Sequence, residues 1–179
     1  MPADFAVGVY EDLMRAGADL GVVGGGYYAI ESMRLEKAYR AFGRELTPDH
    51  GPLEAGLMFT CKLKADIPFL GREALEKAKA QGPQRRLVSF LVDSAEPMLW
   101  GGELVLRDGH ASGQVTSAAW GATLGRCVGL AYVWDRDGGP IDLDWILQGS
   151  YEVNVGGARV PVTVSTTSPY DPDRHKIRL

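Results

Sequence analysis

Beyond Pro83 the chain is a succession of short β-prone runs, each stopped by glycine or by an aspartate-glycine pair, and this punctuation restricts the fold more than any other feature. Arg86 to Val92, Glu103 to Arg107, Ala111 to Thr116, Cys127 to Trp134 and Tyr151 to Val155 are the runs, with Asp108-Gly109 as a turn between two of them. Gly156-Gly157 joins the last run to Arg159 through Val164 as a hairpin, because glycine adopts the positive φ that a tight hairpin loop demands. Short strands in this number hide their apolar faces only by closing or stacking, which gives a small all-β barrel or sandwich.

The residues before Gly82-Pro83 have a different texture. Phe5, Val9, Leu13 and Met14 recur at helical spacing between Asp4 and Ala18, with Asp4 as cap and Gly17 or Gly21 as stop. Ala29 to Ala38 suits a short helix, Leu53 to Leu63 a passage from helix to strand, and Glu73 to Gln81 a helix rich in alanine, glutamate and lysine. Gly24-Gly25-Gly26 lacks the spacing of a dinucleotide fingerprint. Gly82-Pro83 divides the chain into domains of residues 1–82 and 83–179, and the class is α+β. A helix as short as the first cannot bury its apolar face alone, so the front region is expected to pack on the strands or to complete a sheet supplied by other sequence.

Charge and cysteine usage narrow the function. A formal net charge of −4 provides no basic field for a phosphate backbone, which leaves nucleic acid out. Cys61 and Cys127 form no close pair, and with His50, His110 and His175 scattered there is no zinc-ligand spacing, so no metal is expected. No apolar run reaches membrane-spanning length and Met1 opens no signal peptide, so a soluble, cytoplasmic protein is expected. Nucleophile elbow, zinc-protease helix, P-loop and C-x-x-C motifs are all missing, and no residue is named as catalytic.

The segment RLEKAYRAFGRELTPDHGPLEAGL, Arg34 to Leu57, crowds charge, aromatics and chain-breaking residues. Among its charges and those just before it, Lys37, Arg44 and Glu45 are expected on a solvated face with weak ion pairs. Arg34, Tyr39 and Glu54 suit a pocket: the guanidinium forks onto a carboxylate, while tyrosine and glutamate hold a planar heterocycle by stacking and hydrogen bonding. Phe59 and Trp134 are expected in the core. Trp120, flanked by glycine in SAAWGATLGR, is expected in a loop, and Asp135, Asp137, Asp142 and Asp144 in a solvated turn without calcium-loop spacing.

That segment, followed by DIPFLGREAL from Asp66 and SGQVTSAAWGATLGRCVGLAYV from Ser112, resembles the latter half of the glycine-cleavage T-protein family. GYYAIESMRLEKAYR from Gly26 and the tail SPYDPDRHKIRL are similar to the C-terminal folate-binding region of sarcosine and dimethylglycine dehydrogenases. Ile30, Phe42 and Phe59 depart from the arginine, tyrosine and tryptophan of the aminomethyltransferase branch. The resemblance implies the C-terminal part of the aminomethyltransferase folate-binding fold followed by a small antiparallel β-barrel. It implies tetrahydrofolate as ligand, with Tyr28, Arg34, Tyr39 and Glu54 as contacts and an ion pair anchoring the helix as the other role for Arg34.

It also implies a parent oxidoreductase that moves a hydride from an N-methyl amine to FAD, the flavin being held by a missing N-terminal domain. The chain is then a truncated piece, inactive alone, whose partners are the parent's N-terminal flavin and folate domains. The mitochondrial matrix is the compartment in a eukaryote. An aminomethyltransferase fragment and a non-catalytic adaptor retaining the barrel are the other readings, and a homo-oligomer is left open.

Overall fold

The computed structural model describes residues 1–177. The chain divides into two compact units, Met1–Ile30 and the remainder from Glu31. The first holds α1, Ala6–Ala16, ended at Gly17, whose amide returns to the Leu13 carbonyl at 2.9 Å. Helix α2, Tyr27–Glu36, begins in the first unit and ends in the second.

The second unit is built on six antiparallel strands: β1 Arg85–Val92, β2 Leu104–Arg107, β3 His110–Gly121, β4 Arg126–Trp134, β5 Tyr151–Val155 and β6 Ala158–Ser165. They close in the order β1-β4-β3-β2-β5-β6, so of barrel and sandwich the chain adopts the barrel. The interior is filled by Val88, Phe90, Val92, Val105, Val115, Ala131, Val133 and Val153. Burying a side chain such as Phe90 contributes about 1.5–3 kcal/mol relative to leaving it in water. Gly129 makes room for that ring in the wall, since a Cβ there would stand 2.7 Å from the Ser117 carbonyl oxygen and against Phe90.

Strand β4 is buried on both faces, and this locates everything that follows. Its alternate residues Cys127, Ala131 and Val133 face the barrel interior. Val128, Leu130 and Tyr132 face outward and pack with Leu87 of β1 against Leu35 and Ala38, where α2 ends. The continuous apolar run of β4 thus serves two cores, as expected of a strand with no solvated face. Packing on the outer wall fixes the start of the Arg34–Leu57 segment.

Helix α3, Arg72–Gln81, stops at Gly82. A fourth helix, Leu143–Gln148, which the sequence reading did not anticipate, is capped by the Asp142 carboxylate accepting from the Trp145 amide at 2.7 Å. The passage at Leu53 to Leu63 contains no strand. It folds into successive turns, with the amides of Ala55, Gly56 and Leu57 returning to the carbonyls of Gly51, Leu53 and Pro52, and ends in a 3-10 turn at Met58–Thr60.

Candidate functional site

The Arg34–Leu57 segment, which lies wholly in the second unit, is organised by a buried acid. The Glu45 side chain is 0% exposed and all its acceptor positions are filled. Its Oε1 accepts from the hydroxyls of Thr116 at 2.8 Å and Ser117 at 2.5 Å. Its Oε2 accepts from the Ala41 amide at 2.8 Å and from Arg34 Nη1 at 3.1 Å. Adjacent residues of a regular strand point to opposite faces; here β3 shifts register between Val115 and Ser117, and the bulge brings both hydroxyls to one carboxylate oxygen.

The expectation that Glu45 lies on a solvated face is therefore corrected. Desolvating a carboxylate is tolerated only when it is fully hydrogen-bonded and paired, and four donors meet that condition here. Lys37 also departs from a solvated position. Its ammonium donates to the Tyr170 and Asp171 carbonyls at 3.2 and 3.0 Å and pairs with the Asp171 carboxylate at 3.3 Å. Arg44 alone of the three is exposed, 3.8 Å from Glu31.

Arg34 spends every N–H on protein acceptors. Nε and Nη2 both reach Glu31 Oε2, at 3.0 and 2.6 Å; Nη1 reaches the Tyr39 carbonyl and Glu45; Nη2 also reaches Ser117 Oγ at 2.9 Å. A guanidinium offers five such donors, and all five are met by the protein, with ion pairs to Glu31 and Glu45 among them. The Arg34 hydrogen bond holds the Glu31 carboxyl below its ordinary range, against burial, with the charges of Arg34 and Arg44 adding to the effect.

Glu54 is likewise engaged. Its Oε1 accepts from Arg85 Nε at 2.9 Å, its Oε2 from the Gly51 amide at 3.0 Å, and its carbonyl from the Leu87 amide at 2.8 Å. These bonds tie the turn to β1. Tyr39 is different: its carbonyl holds Arg34, while the residue is 55% exposed and lines a cavity of about 510 Å³ with Lys37, Arg40, Gly56, Leu57 and Phe59. Tyr28, in the first unit, is exposed on the first turn of α2. Arg34, Tyr39 and Glu45 are thus brought together, whereas Glu54 belongs to a separate cluster with Arg85.

Glu36, which sequence reasoning passed over, is buried beneath the β3–β4 turn and accepts from the amides of Thr123 and Leu124 at 2.7 and 3.0 Å. Its backbone carbonyl accepts from the Tyr170 amide at 2.9 Å. Trp120 lies within β3 rather than in a loop, paired with Cys127 and partly exposed, and its carbonyl accepts from Ser32 Oγ at 2.6 Å. Phe59 and Trp134 are not core residues. Phe59 is 78% exposed because the turn at Gly56 carries it to a cavity rim, and Trp134 lies at the end of β4, beyond the barrel's packed layers. Among Asp135, Asp137, Asp142 and Asp144, the first accepts from the Asp137 amide and the third caps a helix.

No group of three or more metal-ligating side chains occurs among the described residues, and no helix among them is long and apolar enough to cross a membrane. The tail expected as a polar strap is held at Tyr170 and Asp171, and Arg178 and Leu179 lie outside the described residues.

The family model for the glycine cleavage T-protein C-terminal barrel domain matches residues 85–171, and that for the GCVT N-terminal domain matches residues 1–65. The chain is 43% identical over 178 residues to the mitochondrial sarcosine dehydrogenase of Mus musculus, which covers 99% of this chain and 19% of that protein. It is 37% identical over 158 residues to the mitochondrial dimethylglycine dehydrogenase of Rattus norvegicus, 87% of this chain and 17% of that protein. The chain therefore spans about a fifth of the length of the curated relatives it matches. The crystal structure of glycine cleavage system aminomethyltransferase T from Bartonella henselae shares the fold, with a TM-score of 0.77 at 24% identity over 96% of this chain and 45% of that one.

Proposed function

The chain belongs to the glycine cleavage T-protein family, and from that premise we propose that it supplies part of a tetrahydrofolate site in a protein of the sarcosine and dimethylglycine dehydrogenase type. One observation carries the reading: the Tyr39 ring stands exposed over a cavity while the backbone beneath it is fixed by Arg34 and Glu45. A planar heterocycle gains from stacking on an aromatic face that does not have to be ordered on binding. Tyr39 and Phe59 give the cavity such faces, so the residues fit the ligand.

In this reading Tyr39 is the contact in the second unit and Tyr28 is the corresponding candidate in the first. Arg34 and Glu54 act by positioning, Arg34 through the Tyr39 carbonyl and Glu54 through the turn that precedes Phe59. Tetrahydrofolate, when bound, supplies a nucleophilic nitrogen that takes up a one-carbon unit. Capture of that unit is chiefly a matter of orientation, which rigid supports provide. The oxidation that generates it belongs, on this proposal, to FAD in a flavin domain of a longer protein. That domain and a preceding folate domain are the partners, and a mitochondrial location follows the relatives.

The test is titration of the chain with tetrahydrofolate followed by amide NMR. Shifts centred on Tyr39 and Phe59 support the proposal; shifts confined to β2 and β5 argue against it.

A further inference from the structure

Arg40 and Arg86 converge on Gly56 from two different segments. Gly56 has φ +71°, and a Cβ built on it would lie 2.9 Å from Nη2 of Arg40 and 3.7 Å from Nη2 of Arg86, so both guanidinium edges border one point. Their protein bonds go to backbone carbonyls: Arg40 Nε to Ala55 at 3.1 Å and Nη1 to Ala38 at 2.9 Å, Arg86 Nη1 to Leu53 at 2.8 Å. Among the described residues neither has a carboxylate within 4.0 Å, because the acids in this region are committed elsewhere, Glu45 to Arg34 and Glu54 to Arg85.

Two partly buried like charges without a counter-ion are unfavourable. Burial lowers the pKa of both guanidiniums; at Arg40 the charge of Arg86 adds to this, while Tyr132 and Glu45 oppose it. The Nη2 donors of both remain unspent on protein acceptors among the described residues, and each arginine lines a cavity. One cavity of about 510 Å³ is lined by Arg40, Gly56 and Phe59, with Arg174 adding charge and Lys37 paired to Asp171. Another of about 610 Å³ is lined by Arg86 and Phe59, with Lys62 and Lys79. On a chain of net charge −4 this is a local reversal of sign.

We propose that Arg40 and Arg86 form a binding site for a small oxyanion, a carboxylate or phosphate group held at Gly56 by Nη2 of both arginines, with any attached apolar group laid against Phe59. The planar guanidinium fork matches both oxyanions, and the charge-assisted bonds it makes are about twice as strong as neutral ones. Glycine at position 56 lets Arg40 Nη2 approach the backbone where a Cβ would stand 2.9 Å from it. The site is defined by two cations that converge on Gly56, each bordering its own cavity with Phe59 at the edge of both; Tyr39 also lines the Arg40 cavity, but the site does not rest on the folate reading.

The experiment uses the full chain, titrated with glutarate, inorganic phosphate and, at matched ionic strength, sodium chloride, reading heat and the Nε–Hε signals of arginine by NMR. Saturable binding of glutarate, of phosphate or of both at millimolar concentration is expected, with the Arg40 and Arg86 signals moving first. Glutarate alone identifies a carboxylate source, phosphate alone a phosphate source. Arg40→Gln and Arg86→Gln should each weaken binding about tenfold, and Arg86→Lys, which keeps the charge, should weaken it less. If a glutamine variant does not fold, the wild-type arginine signals and the lysine variant decide. No saturable binding, signals that move equally with chloride, or affinity unchanged in the variants overturns the proposal and leaves the Tyr39 reading standing.

Discussion

Arg34 and Glu45, eleven residues apart in the chain, meet at 3.1 Å with the glutamate side chain wholly out of solvent. The pair fastens the end of α2, the Tyr39 backbone and the bulge of β3 to one another through Ala41, Thr116 and Ser117. Removing one partner from such a cluster leaves a buried charge and several donors uncompensated, whereas an exposed pair is worth little.

Glu45→Ala is therefore expected to destabilise the second unit by about 3–5 kcal/mol. The urea midpoint should fall accordingly. Arg44→Ala, at an exposed position, should change it by no more than about 1 kcal/mol. Equal effects would remove the distinction between the two charges.

Acid should weaken the same region through Glu31. Its folded pKa is depressed, first by the Arg34 hydrogen bond, so its contribution is present above the unfolded value near 4.5 and is lost as pH falls through the folded value. Glu31→Gln should flatten that part of the stability profile. An unchanged acid limb in the variant would contradict the assignment.

Alkali should act through Tyr132. Burial, reinforced by the charges of Glu54 and Glu45 and opposed by those of Arg40 and Arg85, pushes its pKa up to about 12 from 10.0. The folded state then holds the phenolic proton more tightly, so this contribution is whole below pH 10 and is lost between 10 and about 12. The shift corresponds to about 2–3 kcal/mol. Tyr132→Phe should lack this slope while losing the hydrogen bond to the Glu45 carbonyl, and denaturation curves at pH 9 and above check it.

The tail gives a further prediction. Lys37→Ala removes the ammonium that holds the Tyr170 and Asp171 carbonyls. The Tyr170 amide, bonded to the Glu36 carbonyl, should then exchange with deuterium several-fold faster while amides of β4 keep their protection. Unchanged exchange at Tyr170 would show that the lysine is dispensable.

The strands were legible in the sequence because alternation and glycine stops are local signals, and they fall where the runs Arg86 to Val92, Tyr151 to Val155 and Arg159 to Val164 stand. The length of β3 was not, since the turn back to β4 is made at Thr123–Gly125, beyond Trp120, by Glu36 from another part of the chain. Glu45 was misread for the same physical reason. Its burial depends on Thr116 and Ser117, 71 and 72 residues away, and on a bulge that no local pattern announces. The helix Leu143–Gln148 was hidden because its cap, Asp142, sits in an acidic run that reads as a turn. The α2 segment and the PLEAGL turn stood out as a family motif, but which of their side chains are free for a ligand is decided by hydrogen bonds: Arg34 and Glu54 are occupied, and Tyr39 presents its ring.

The most direct test of the folate reading is the dissociation constant of tetrahydrofolate for the wild-type chain compared with Tyr39→Ala and Arg44→Ala, measured from amide NMR shifts. The account predicts weak, saturable binding with perturbations centred on Tyr39 and Phe59, weakened about tenfold or more by Tyr39→Ala, since stacking on one aromatic is worth about 0.5–1.5 kcal/mol beyond its buried area. It predicts no change in Arg44→Ala. Binding of equal strength in all three proteins, or perturbations absent from Tyr39 and its neighbours, would contradict it.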